Sequence, residues 1–362
     1  MGYVQNEVDL GLFKKVMKDD VVELATHVDD LFAIMPVEYV LTYIKQMKDR
    51  FGNDLTVHTN LDSKGKLDST KEVEYLGMLL SIDYDECYAK INPFKFYHKV
   101  CDVHYADLID DKVKRAPSKA DFLEIDDTSP LLKGDEKKRI ERLIYQLRYP
   151  CFMAPETLFH AAWFVSRISK GITEQDKVKL IHFLRYINGR KALPMLIGPN
   201  KDKKIELSVF SDASQGITAY TSTVISCGRG VISVHCHKQK QVQIASAHTE
   251  LVAAAESTTH ALHIQHVMEA RGVSEEYYKP CKFFEDNMAV IHLMKNGRSI
   301  NSKSKHIHIR FFFMKQYFDN GDMQMIHCIT EKMVADLNTK PKVGEAFLYL
   351  RDRILGYAYI YE

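Results

Sequence analysis

Four acids in a fixed order constrain this chain more than any other feature. Asp212 closes an apolar run, Leu207-Ser-Val-Phe-Ser-Asp-Ala-Ser214. Glu250 opens a helix-like stretch, Thr249-Glu-Leu-Val-Ala-Ala-Ala-Glu256. Asp286 ends a second apolar strand, Cys281-Lys-Phe-Phe-Glu-Asp-Asn287. Asp336 lies in Thr330-Glu-Lys-Met-Val-Ala-Asp-Leu-Asn-Thr-Lys-Pro341, which reads as a capped helix start. An order of strand-Asp, helix-Glu, strand-Asp, helix-Asp can gather four carboxylates at one sheet edge. Such a cluster needs cations. Two Mg²⁺ (or Mn²⁺) ions about 4 Å apart would neutralise it and activate water against a phosphodiester. The chain carries 48 Asp and Glu, and a single acid at a strand end or in a first helical turn is ordinarily a cap or a solvated face. The order of the four carries the reading.

The surrounding pattern predicts an α/β fold with a mixed five-stranded sheet and flanking helices. Strands are expected at 205–212, 217–224, 231–235, 282–286 and 323–329. Helices are expected at 248–271, 288–296, 307–318 and 330–337, with a last amphipathic helix at 344–355. Upstream, 8–34 reads as a hairpin, 37–51 as a helix and 75–91 as a second hairpin. Residues 101–135 form a charged connector broken by Pro117 and Pro130. Three helices follow at 135–148, 155–168 and 173–188.

Composition narrows the class. No run of 18 apolar residues exists, so no membrane span is expected. The N-terminus has no signal-peptide core. Seven cysteines without a CxxC pair fit reduced thiols in a cytosolic or nuclear setting. His235, Cys236 and His237 are too tightly spaced for one tetrahedral zinc, and read as a strand end. A net charge of +1 means that any nucleic-acid surface must be locally basic. The best local patch is the acid-free stretch 287–318, with Lys295, Arg298, Lys303, Lys305, His306, Arg310 and Lys315. It could position phosphates beside the acids. Lys238 and Lys240 are further candidates.

These segments resemble a family. Cys236-His-Lys-Gln-Lys-Gln-Val-Gln-Ile-Ala-Ser-Ala-His-Thr-Glu-Leu-Val-Ala-Ala254 is similar to the "SKKQxxVALSSTEAEYMA" stretch of copia-type LTR retrotransposon polyproteins. Glu285-Asp-Asn-Met-Ala-Val-Ile291 resembles "CDNxSAI", Ser304-Lys-His-Ile-His-Ile-Arg310 resembles "TKHIDxR", and Ile329 to Pro341 resembles "PTxExxADxLTKP". Upstream, His27-Val-Asp-Asp-Leu31 resembles the "YVDD" motif of a reverse transcriptase palm, and Tyr75-Leu-Gly-Met78 the "FLG" strand beyond it. Leu147-Arg-Tyr-Pro150 with Phe159 to Arg167 resembles "xTRPDIxFAVxxLSR". The matches fall in the family's order over nearly the whole chain.

The resemblance implies a C-terminal part of a reverse transcriptase palm at 1–105, a helical thumb or connection at 106–200, a ribonuclease H domain at 201–342 and a C-terminal helix and tail at 343–362. It implies endonucleolytic cleavage of RNA in RNA–DNA hybrids, with Asp212, Glu250, Asp286 and Asp336 holding two divalent ions. No histidine lies between 329 and 335, so no histidine proton shuttle is expected before the last acid. Asp29 and Asp30 match the metal-binding pair of the palm. The palm's first strand and fingers are expected to be missing, and template copying with them. Other retroelement Pol products are implied partners, and a cytoplasmic virus-like particle or the nucleus the implied location. Two other readings stay open: a decayed element acting only as a nucleic-acid-binding or assembly module, and a related DNA nuclease or integrase core.

Overall fold

The computed structural model describes residues 2–17, 20–52, 55–110, 112–215, 219–239, 246–297 and 305–361, with only the backbone described for 305–308. The N-terminal part is an antiparallel sheet in the order β1 (Val4–Gln5), β2 (Leu12–Val16), β3 (Val21–His27), β4 (Asp30–Ile34). The expected single hairpin is therefore two. In the second, His27 pairs with Asp30, so Val28 and Asp29 form the turn. Helix α1 (Val37–Phe51) follows where the periodicity placed it, and none of its residues is buried.

A second antiparallel sheet contains β5 (Val73–Tyr75), β6 (Met78–Asp83) and β7 (Tyr88–Asn92). The two residues between β5 and β6, Leu76 and Gly77, have φ of 49° and 74°. Positive φ at both centres is the tight hairpin turn that matches strand twist. At Gly77 a Cβ would also strike the Phe96 ring, at 2.7 Å. The fourth strand of this sheet, β8 (Met195–Ile197), arrives from far along the chain and pairs with β7. Three residues are too few to show a period, so the sequence pattern does not mark this strand.

Between β7 and β8 lie α2 (Phe94–His98), a π-helical turn (Lys99–His104) and the three expected helices. These are α3 (Gly134–Arg148), α4 (Leu158–Ile168) and α5 (Glu174–Arg190). Thr173 caps α5: its hydroxyl accepts from the Asp176 amide, and the Asp176 carboxylate accepts from the Thr173 amide. That carboxylate also pairs with Arg167 at 3.2 Å, tying α4 to α5.

The third sheet is the expected mixed one. Its strands are β9 (Ser208–Ala213), β10 (Tyr220–Ser226), β11 (Ser233–Lys238), β12 (Cys281–Glu285) and β13 (Met323–His327), in the order β11-β10-β9-β12-β13. The first three pair antiparallel. β12 runs parallel to both β9 and β13. Helices α6 (Ser246–Ala270), α7 (Met288–Asn296), α8 (Lys305–Asp319) and α9 (Gly344–Ile354) complete the chain. The helix expected at 330–337 is instead two short 3₁₀ turns, Thr330–Lys332 and Val334–Asn338, with no side-chain cap on either. No described helix is long and apolar enough to cross a membrane.

Strand alternation divides the apolar residues of this sheet between two cores. Leu207, Val209, Ile225, Phe283 and Met323 pack with Leu251, Ala254, Val290, Phe311 and Met314 of α6, α7 and α8. Phe210, Tyr220, Val224, Val234 and Phe284 face the other way, into a core shared with α3, α4, α5, the 3₁₀ turn at 334–338 and α9. Phe210 and Phe284 stack across adjacent strands at 4.5 Å between ring centroids. The connecting helices are thus the second cover of the sheet.

Candidate active site

Register places the first two acids. β9 and β12 pair as Ser208↔Lys282, Val209↔Phe283 and Phe210↔Phe284, a constant offset of 74. Two residues further, the same offset brings Asp212 beside Asp286. Parallel partners share a face, so both acids leave the sheet on the Phe210–Phe284 side, at the carboxyl ends of neighbouring strands. Glu250 comes from the first turns of α6 on the opposite face. It packs over the end of β9, where the Ala213 amide favours its charged form. Ligating oxygens of Asp212, Glu250 and Asp286 all lie within 4.8 Å of one another, the single such group of acids, histidines or cysteines among the described residues.

Burial dominates the electrostatics of these acids. Asp212 is 2% exposed and Glu250 5%. Burial first, and the Asp336 charge second, push the Asp212 carboxyl up to about 7. Burial, then Asp212, Glu285 and Asp286, push Glu250 up to about 10. Glu250 Oε2 is buried with no hydrogen-bond partner. Three converging carboxylates with an orphaned oxygen fit a hard divalent ion with oxygen ligands. Asp212 Oδ2 accepts from the Thr339 hydroxyl, which fixes its orientation.

Asp336 is close enough to Asp212 to raise its pKa, yet it is arranged differently. It is fully buried, and its two oxygens meet Lys340 at 2.5 Å and Lys342 at 2.6 Å. Burial pulls the Lys340 ammonium down, but the Asp212 and Asp336 carboxylates outweigh it and hold the group above its ordinary value. Of the four expected acids the structure therefore converges three, and neutralises the fourth internally. Lys340, Lys342 and Thr339 are not singled out in the sequence. Only Lys340 carries a signal, its spacing of four residues after Asp336.

Glu285 is a further buried acid near the site. The position before Asp286 alternates to the α6 face, where Glu250 stands. Glu285 is fully buried, and burial raises its carboxyl well above the ordinary range.

The other candidates fall elsewhere. Asp29 and Asp30 are exposed at the β3–β4 turn, and no third ligating side chain joins them among the described residues. Arg298, Lys303 and Lys240 lie outside the described residues. Lys305 and His306 begin α8, with their side chains undescribed. Arg310 is partly exposed on α8, and Lys238 ends β11. Lys315 pairs with Asp319 one turn further along α8.

No protein-family model matches the chain. Curated relatives do. The retrovirus-related Pol polyprotein from transposon RE1 of Arabidopsis thaliana is 23% identical over 364 residues, covering 98% of this chain and 23% of that protein. The homologues of this chain are retrovirus-related Pol polyproteins of plant transposons. The corresponding polyprotein from RE2 of the same plant is 26% identical over 57% of this chain and 14% of its own length. That from transposon TNT 1-94 of Nicotiana tabacum is 24% identical over 57% of the chain and 16% of its length. The chain thus spans less than a quarter of each relative. Among solved structures, the foamy viral protease-reverse transcriptase in complex with dsDNA is similar over 85% of this chain and 55% of its own, at 15% identity and a TM-score of 0.44. RNase H1 from Halobacterium salinarum covers 37% of this chain and 94% of its own, at 11% identity and a TM-score of 0.29.

Proposed function

We propose that this chain is the reverse transcriptase and ribonuclease H part of a copia-type retrotransposon Pol polyprotein, and that it cuts the RNA strand of RNA–DNA hybrids. The observation that carries this reading is the convergence of Asp212, Glu250 and Asp286 within 4.8 Å, on a chain whose homologues are Pol polyproteins. These three residues would hold Mg²⁺ or Mn²⁺. When bound, such ions supply an activated water and stabilise a leaving 3′-oxygen. Around them the chain does its own work. The Thr339 hydroxyl aims Asp212, and the Ala213 amide steadies Glu250. Lys340 and Lys342 keep Asp336 neutralised. Asp336 would join in holding an ion only on release from Lys340 and Lys342. Arg310 and Lys238, with Lys305, His306, Arg298, Lys303 and Lys240, are the proposed contacts to hybrid phosphates. Other Pol products are proposed partners, in a virus-like particle or the nucleus. Template copying is not assigned to Asp29 and Asp30, which have no further ligating partner among the described residues.

The test is incubation of the purified chain with an RNA–DNA hybrid in Mg²⁺ and in Mn²⁺, beside Asp212→Asn. RNA cleavage that the substitution abolishes supports the reading. Binding without cleavage in either metal would leave a nucleic-acid-binding module and sink the enzymatic proposal.

A further inference from the structure

Asp336 departs from the four-acid pattern in how its charge is met. It sits in the 3₁₀ turn Val334–Asn338, fully buried beside Val334, Ala335 and Leu337 of the core shared with α3–α5. Its Oδ1 meets the Lys340 ammonium at 2.5 Å, and its Oδ2 meets the Lys342 ammonium at 2.6 Å. Both oxygens therefore face a cation that belongs to the chain. The two lysine side chains keep solvent contact, 38% and 22% exposed. A divalent ion at Asp336 would have to displace ammonium groups already paired with a buried charge, and a buried charge that loses its partner is strongly unfavourable. Asp336 also stands outside the group of oxygens gathered by Asp212, Glu250 and Asp286. Thr339 ties it to that group: its hydroxyl donates to Asp212 Oδ2 and lies 3.4 Å from the Asp336 carbonyl oxygen. Burial acts against the Lys340 charge, and the Asp212, Asp336 and Asp286 carboxylates outweigh it. Lys340 falls within the stretch that resembles the retrotransposon motif, and Lys342 lies beyond its end.

We infer that Lys340 and Lys342 are tethered cations that take the place of a second divalent ion at Asp336, so that the chain binds one ion, on Asp212, Glu250 and Asp286. The inference rests on the metal-dependent reading above. It replaces the two-ion expectation with a one-ion centre flanked by two ammonium groups of the chain itself. Ion number is then set by side chains that hold no ion.

The experiment is a Mn²⁺ titration of the full chain after chelation, followed by calorimetry and by electron paramagnetic resonance of the free ion. The unaltered chain is expected to bind one Mn²⁺, and Asp212→Asn, by losing it, separates the centre from adventitious surface sites. Lys340→Gln combined with Lys342→Gln should admit a second ion, and adding Asp336→Asn to that pair should remove it again. The single variants Lys340→Gln and Lys342→Gln keep the test open where the pair fails to fold. Each should tighten Mn²⁺ binding about tenfold, the order of one unit charge acting on a divalent ion through a partly solvated medium. Thermal melting gives a second readout. Without metal the paired variant should melt lower than the unaltered chain, Asp336→Asn should recover that loss, and Mn²⁺ should raise the paired variant's melting temperature more than the unaltered chain's. Two ions on the unaltered chain, or one ion at unchanged affinity in every folded lysine variant, would overturn the inference and leave the metal-dependent reading standing. No Mn²⁺ binding by the unaltered chain would overturn both.

Discussion

Two acid pairs at strand ends invite comparison: Asp29–Asp30 near the N-terminus, and Asp212–Asp286 in the five-stranded sheet. In sequence they look alike, each following an apolar run. Their strands differ. β3 and β4 are antiparallel neighbours joined by a tight turn, so the pair is one exposed loop tip, with Val28 94% exposed beside it. β9 and β12 are parallel neighbours, so two strands end at the same edge, and helices cover both faces. Parallel pairing brings acids distant in sequence together and desolvates them. The same residue type is solvated in one place and desolvated in the other because of strand direction.

The contrast can be broken most directly by substitution. Asp212→Asn should lower hybrid cleavage by more than roughly 100-fold, beyond what groups outside the ligand set typically cost. The double change Asp29→Asn with Asp30→Asn should leave cleavage unchanged. Equal losses in a quantitative cleavage assay would erase the distinction between the pairs.

Stability sharpens it next. Phe210 is 1% exposed in the core shared with α3–α5, and Phe210→Ala should cost about 3–5 kcal/mol in denaturant unfolding. Leu24, 8% exposed in the N-terminal sheet, should cost about 2 kcal/mol when cut to Ala. A larger loss at Leu24 would mean that the N-terminal sheet is the better packed of the two.

A smaller effect concerns pH. Asp212 is raised to about 7 and Glu250 to about 10 in the metal-free state. For acids raised on folding, the folded chain binds more protons than the unfolded one. Stability is therefore fully present below the unfolded values and falls as pH rises through the folded ones. Melting in EDTA should decline from about pH 4 toward 7 and beyond, and Asp212→Asn should flatten the lower part of that decline. A profile that is flat in both proteins would show the carboxylates to be solvated, as Asp29 and Asp30 are.

The smallest effect is expected where the two regions meet. Arg271, at the end of α6, donates to Glu23 of β3, with its Nε at 3.0 Å from the carboxylate. Both side chains keep solvent contact, 39% and 25% exposed. Arg271→Ala should cost roughly 0–1 kcal/mol, measured against Glu23→Ala and the double variant.

Most of the mixed sheet was legible in sequence because its elements are long enough to show a period. α7 begins and ends where Met288 and Asn296 suggested, and α6 and α8 within two residues of expectation. Legibility failed where the deciding contact was distant or short. β8 has three residues and finds its partner about a hundred positions upstream. The 330–337 segment has helical composition, but Asp336 is held by lysines that follow it rather than by a helix. At the site, motif order identified the converging acids. It could not show that Glu285 and Asp286, adjacent in sequence, leave the strand on opposite faces, or that the fourth acid comes with its own counter-ions.

One feature of the sheet bears on how such a protein can be cut and inherited. Phe210, Tyr220, Val224 and Phe284 are covered by α3–α5, and Phe210 and Phe284 also by Tyr361 near the chain's end. The Leu196 amide of β8 donates to the Leu355 carbonyl at 2.8 Å, closing the connection onto the tail. A cleavage at about residue 200 would open an aromatic face to water. The five-stranded sheet is therefore not a cassette that processing or recombination can detach at that point. It travels with the helices that precede it, and a lesion in those helices is expected to be felt as a lesion in the sheet.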